Sequence, residues 1–149
     1  MGARDDNSEM LRRVIDAFNH RDGGAAREFL DLEVVWVPTP MFFELETRGR
    51  EATLVWFGDA FDADWDEIRL DVSEYRHRGD RVIALGRLVG TAKRSRLELS
   101  AERAWAATFR QGRVARMAIH ERWSSAVDWL NSREANAEGR DERSGSERM

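Results

Sequence analysis

The segment that decides the fold runs from 96 to 123 and reads RLELSAERAWAATFRQGRVARMAIHERW. In its first half Leu97, Leu99, Ala101, Trp105, Ala107 and Phe109 fall on one side, and Glu98, Ser100, Glu102 and Thr108 on the other. Period-two alternation of this kind marks a strand with one buried and one wet face. Beyond RQGR the pattern resumes, with Met117, Ile119 and Trp123 on one side. Two such runs joined by a glycine-containing turn predict an antiparallel hairpin. A three-residue loop with Gly112 in the left-handed conformation sets its expected register. Phe109 then faces Arg113, Ala107 faces Ala115, Trp105 faces Met117, Arg103 faces Ile119 and Ala101 faces Glu121. A two-residue turn would instead set Arg103 against His120.

The apolar side of this hairpin must look toward the core. Only Arg103 and Glu121 break it, and their charges are opposite. In the expected register they are diagonal neighbours, about 7–8 Å apart at the backbone. Burying either charge alone costs several kcal/mol, so each needs the other or a ligand. One reading is an ion pair that clamps the end of the sheet, or a Glu121 that reaches solvent. The other is a polar pair in an aromatic cavity, Arg103 holding a carbonyl oxygen or developing enolate and Glu121 moving a proton.

Working outward, residues 8–23 carry Met10, Leu11, Val14, Ile15 and Phe18 at helical spacing, with Asn7 or Ser8 as the cap. Asp22 can cap a second, shorter helix through AAREFL, and EVVWVP reads as a strand stopped by Pro38 and Pro40. REATLVWFGDAFDAD predicts a third helix with Leu54, Phe57 and Phe61 on one stripe, and EIRLDVSEY and RVIALGRLVG add two more strands. SAVDWL predicts a short closing helix, and from Ser132 onward there is almost nothing to bury. Residues 1–131 are therefore expected to form one domain and 132–149 a disordered tail. Helices followed by a run of consecutive strands give an α+β arrangement, with three N-terminal helices on the concave face of a curved antiparallel sheet.

Composition narrows the function. The chain has 149 residues, 42% hydrophobic and 35% charged, the profile of a globular domain. A net charge of −4 gives no overall attraction to nucleic acid, and no apolar run is long enough to span a membrane. There is no cysteine and the N-terminus lacks the apolar core of a signal peptide, so a cytoplasmic location is expected. His20, His77 and His120 lie on separate elements without ligand spacing, so no metal is expected. Six tryptophans and seven phenylalanines suit an apolar ligand pocket, or simply a core.

Several pieces in order, AFNHRD, LEVVWVP, RGREATLVWFGDAF, GDRVIALGRLVG and TFRQGRVARM, resemble the nuclear transport factor 2-like superfamily in its SnoaL-like, polyketide cyclase-like branch. The resemblance covers residues 8–131. It implies a cone-shaped, cystatin-like α+β barrel with an internal pocket, paired as a homodimer through the outer sheet face. Known activities in the family include polyketide cyclases, ketosteroid isomerases and epoxide hydrolases, beside plain binding proteins. Their catalytic residues do not carry over. The acid of the last strand falls on Ile119, the hydrolase Arg and Asp on Gly86 and Leu88, and the isomerase base and tyrosine near Val37 and Val14. Trp36 stands where the hydrolases carry a pocket tyrosine.

The chain is thus expected to be a cofactor-free enzyme of the cyclase or isomerase kind, acting on a hydrophobic, carbonyl-bearing, polyketide-like ligand. Arg103 and Glu121 are the candidate catalytic pair. Trp36, Trp56, Phe57, Phe61, Trp65, Leu88, Trp105, Met117 and Ile119 are expected to line the pocket. The alternatives are a non-catalytic ligand-binding domain with the same pocket, and a scaffold whose hollow is filled by its own rings. Glu102 and His120, expected to oppose each other on the outer face, read as a surface or interface pair.

Overall fold

The computed structural model describes residues 3–38, 46–59 and 65–132. The chain runs α1 (Ala3–Asn19), α2 (Gly23–Ala26), a 3₁₀ turn (Arg27–Phe29), β1 (Leu30–Val37), β2 (Thr47–Arg48), α3 (Arg50–Asp59), β3 (Trp65–Arg78), β4 (Arg81–Ala92), β5 (Glu98–Arg110), β6 (Arg113–His120) and α4 (Trp123–Asn131). The strands form one curved sheet in the order β2-β1-β6-β5-β4-β3. The fold is α+β, as the alternation and helical spacing require. The sheet is mixed, not purely antiparallel, because β1 runs parallel to β6 with Trp36 beside Met117. Residues 39–45, residues 60–64 with Phe61, and the expected tail beyond Ser132 lie outside the described residues.

The helices form where apolar spacing meets a suitable end. Leu11, Val14, Ile15 and Phe18 of α1 are all buried on the concave face. That helix begins at Ala3, so Asn7 and Ser8 lie inside it and do not cap it. Asp22 caps α2 as expected, accepting from the Ala25 amide at 3.3 Å. The side chain of Asn19 leaves α1 to pair with the edge strand. Its Nδ2 donates to the Leu70 carbonyl at 3.0 Å and its Oδ1 accepts from the Leu70 amide at 2.8 Å. This side-chain mimic of a neighbouring strand covers part of β3, the sheet's open edge.

On the opposite, convex face, Ile83 and Leu85 of β4 and Ala104 and Ala106 of β5 meet Ala126 and Leu130 of α4. Charges on the sheet match the dipole of that helix. Glu102 accepts from the Trp123 amide at its N-terminus at 2.6 Å. Buried Arg81 donates to the carbonyls of Trp129 and Ser132 at its C-terminus, at 2.9 and 2.8 Å, and Arg78 donates to that of Asn131 at 2.8 Å. The fourth helix thus occupies the β4–β5 part of the face through which two copies are expected to pair. Among the described residues no helix is long and apolar enough to cross a membrane.

Candidate functional site

The register of the β5–β6 hairpin differs from expectation in two places. Arg110 pairs with Arg113, so the loop has two residues, Gln111 and Gly112, with φ of 55° and 79°. Positive φ at both positions matches the twist of the flanking strands. The ladder then skips Ala115: Phe109 pairs with Val114, but Thr108 pairs with Arg116. This bulge lets Val114 and Met117, three residues apart, both enter the concave core. Turn and bulge each shift the register by one residue, so the faces are kept and the partners move by two. Trp105 lies opposite Ile119 and Ala107 opposite Met117, in place of the expected Trp105–Met117 and Arg103–Ile119 pairs. The last ladder pair is Ala104 with His120, after which Arg103 and Glu121 are the next positions on their chains.

On the concave face Trp36 from β1 and Trp105 from β5 flank β6 and stack over it, with ring centroids 4.9 Å apart and planes at 26°. Phe18 and Phe57 meet Trp105 edge-on at 5.1 and 6.2 Å, and Trp56 meets Trp36 edge-on at 5.3 Å. Trp36, Trp105, Phe57 and Met117 are fully buried, while Trp56, Leu88 and Ile119 are half-buried against the same cluster. Six of the residues expected to line a pocket are therefore neighbours of Trp105 or Trp36 in one apolar cluster that also contains Leu88. Stacked and edge-to-face rings thus share one concave surface of the sheet. Trp65 begins the edge strand β3, half-buried and outside that cluster.

The rim is polar. Arg103 is half-buried, shares its face with Trp105, and donates from Nη1 to the carbonyl of Glu102 at 2.7 Å. Glu121 follows the end of β6 and is exposed. No ion pair joins the two among the described residues, so the expected clamp does not form. The reason is local: β6 stops at His120, and the chain turns into α4 before the carboxylate can lie over the strand pair. Glu121 instead borders a groove of about 560 Å³ with Val37, Ala118, Ile119, His120, Arg122 and Ser125. The same register change separates Glu102 from His120. Glu102 caps α4, and His120 Nδ1 lies 3.1 Å from the Ser125 hydroxyl, so they are not the opposed outer-face pair expected.

A second groove, of about 340 Å³, lies between α1 and β3, lined by Arg12, Asp16, Asn19, Leu70, Asp71 and Tyr75 among others. Burial, and secondly the nearby Asp16 carboxylate, push the Tyr75 phenol up to about 12. Because the native value lies above the ordinary 10.0, the unfolded chain releases this proton first, and stability falls as pH rises past 10.0. As Tyr75 is the only tyrosine, phenolate absorbance reports it directly. The expected titration has no phenolate step near pH 10 while the protein stays folded; a midpoint there with the fold intact would contradict this burial.

Two residues with roles in this architecture, Asn19 and Glu102, were not singled out by pattern for those roles. Asn19 ends an amphipathic helix, where a polar residue is unremarked, and Glu102 sits on the wet side of its strand. Only the third dimension reveals the free backbone groups each one meets.

With this geometry in view, the chain matches the model of the SnoaL-like domain over residues 11–117. No curated protein matches it. Among solved structures, Bal32a from a soil-derived mobile gene cassette is 24% identical, with a TM-score of 0.71, covering 87% of this chain and 98% of that one. A putative SnoaL-like polyketide cyclase from Jannaschia sp. CCS1 is 15% identical, with a TM-score of 0.71 over 89% and 96% of the two chains. TerC co-crystallised with polyporic acid is 17% identical, with a TM-score of 0.67 over 85% and 99%. These likenesses establish the shared fold.

Proposed function

This chain belongs to the SnoaL-like domain family, and on that premise we propose that it is a small-molecule enzyme of the cyclase or isomerase type. Its substrate is a hydrophobic, carbonyl-bearing, polyketide-like molecule, and its chemistry is proton transfer with enolate stabilisation, without a cofactor. One observation carries the proposal: Arg103 on the face of Trp105, and Glu121 just beyond the end of β6 beside Ile119, are the charges that border an otherwise apolar face floored by stacked tryptophans. A cation beside a low-dielectric surface stabilises the oxyanion of an enolate. A carboxylate at the mouth of the groove supplies the proton acceptor that a general base requires. TerC, which shares the fold, was co-crystallised with polyporic acid, which supports a small organic ligand for this reading.

The test is exchange of the α-protons of 1-tetralone in D₂O, followed by proton NMR. Wild type should exchange them faster than buffer, and Glu121→Gln should cut the enzymatic rate about a hundredfold with binding retained. Exchange no faster than in buffer, or indifferent to Glu121→Gln, would count against catalysis. One observation favours a second reading, a binding domain with no turnover: Glu121 is exposed and Arg103 already donates to a backbone carbonyl. That reading expects 1-tetralone to bind without exchange.

A further inference from the structure

We infer that the indole N–H groups of Trp36 and Trp105 are the donors that hold the oxygen of a bound ligand, an inference that rests on the concave-face reading above. Both indole nitrogens are buried, and among the described residues neither has a hydrogen-bond partner. Both side chains are almost wholly shielded from solvent, at 1% and 0% exposure. A donor taken out of water and given no acceptor costs free energy, so such groups are rare in folded proteins. Here two of them stand on rings in contact.

A third tryptophan shows that the fold supplies acceptors where an indole is only structural. Trp123 packs on the convex face, and its indole N–H donates to the carbonyls of Gly86 and Arg103, at 2.9 and 3.1 Å. Phe18 and Phe57 fill the same concave cluster with no polar atom at all. Phenylalanine at 36 or 105 would give an apolar contact without the orphan donor. The donors therefore mark a place where an acceptor enters.

Their chemistry selects the ligand. Each indole offers a single N–H beside a flat apolar ring, a setting that suits the oxygen of a planar frame able to stack on rings, which describes an aromatic ketone or a quinone. A carboxylate would be better served by Arg103 at the rim. Trp56, half-buried, lies edge-on to Trp36 at the outer side of the cluster.

The test uses ¹⁵N-labelled full-length protein and two probes of one shape, 9-fluorenone and fluorene, which differ by the carbonyl. Each tryptophan gives one indole N–H cross-peak, and hydrogen bonding moves its proton downfield. Trp36→Phe and Trp105→Phe assign the two signals, and either alone suffices if the other fails to fold. Fluorenone should move both signals downfield and bind about tenfold more tightly than fluorene, the ratio one neutral hydrogen bond can give. If both probes shift concave-face resonances equally and leave these two indole protons in place, the pocket stands and the donor role is overturned. If saturating amounts of either probe move nothing, the ligand reading falls, and this inference falls with it.

Discussion

Trp105→Ala is expected to lower the free energy of unfolding by about 3–5 kcal/mol, the range for truncating a buried tryptophan. Trp105 is fully buried and touches rings from three other elements: Phe18 of α1, Trp36 of β1 and Phe57 of α3. Phe57 also meets Phe18 and Trp36 edge-on, at 5.7 and 5.8 Å, so the surrounding rings brace one another and resist collapse into the space Trp105 would leave. A globular domain has about 5–15 kcal/mol in total, so the variant should lose a large share of its stability. Equilibrium urea unfolding followed by circular dichroism measures this through the transition midpoint. A loss below about 1.5 kcal/mol, the cost of a conservative swap, would mean that the ring cluster is not the centre of the core.

Gly86→Ala is the second large effect, and its cause is backbone rather than side-chain packing. Gly86 pairs with Val72 where β3 carries an extra residue, Ser73, in a bulge. A Cβ at 86 would stand 2.1 Å from the Asp71 carbonyl oxygen and 2.9 Å from the Val72 Cα. Those atoms belong to the strand itself, so relief requires β3 to move away from β4. The expected cost is about 3 kcal/mol, the upper part of the usual range for overpacking. Gly58→Ala in α3 is the control of opposite sign: its Cβ would meet nothing within 4 Å, and alanine there should stabilise by about 0.5–1 kcal/mol. Equal unfolding midpoints for the two variants would contradict the strand geometry. The close approach leaves no space for the arginine that the family resemblance would set at Gly86. That position has no room for any side chain.

Much of this arrangement is legible in the sequence because burial on one face forces alternation. Trp105, Ala107 and Phe109 of β5 and Leu70 and Val72 of β3 lie on the face expected of them, and the helical stripe of α1 is buried as its spacing requires, whereas Leu97, expected on the same face, precedes β5 and is 69% exposed. Asp22 caps α2 because a short acceptor beside a free amide is a local matter. The hairpin register is not local. RQGR accommodates a two- or three-residue loop, and the choice depends on which residues must share the core. The clue was the spacing of Val114 and Met117: two apolar residues three apart in a strand can face the same way only across a bulge. Val72 and Tyr75 carry the same signature around Ser73. The parallel pairing of β1 with β6, between segments about eighty residues apart in sequence, leaves no local mark. The placement of α4 on the convex face depends on acceptors and donors from β3, β4 and β5 that its own sequence does not reveal.

The candidate site divides in the same way. Aromatic and aliphatic residues expected to line a pocket do gather on one face, because large apolar side chains on inward positions have nowhere else to go. Arg103 and Glu121 were selected by their breach of an apolar pattern, which identifies their position but not their partner. Where a strand ends decides that, and β6 ends one residue before Glu121.

Thermal denaturation of wild type and Arg103→Ala across a panel of hydrophobic ketones bears most directly on the claim that a ligand oxygen is held at this face. The expected result is a ligand-dependent rise in the Tm of wild type that is clearly smaller in Arg103→Ala. Equal rises in both proteins would remove Arg103 from the site, and no rise in either would remove the ligand.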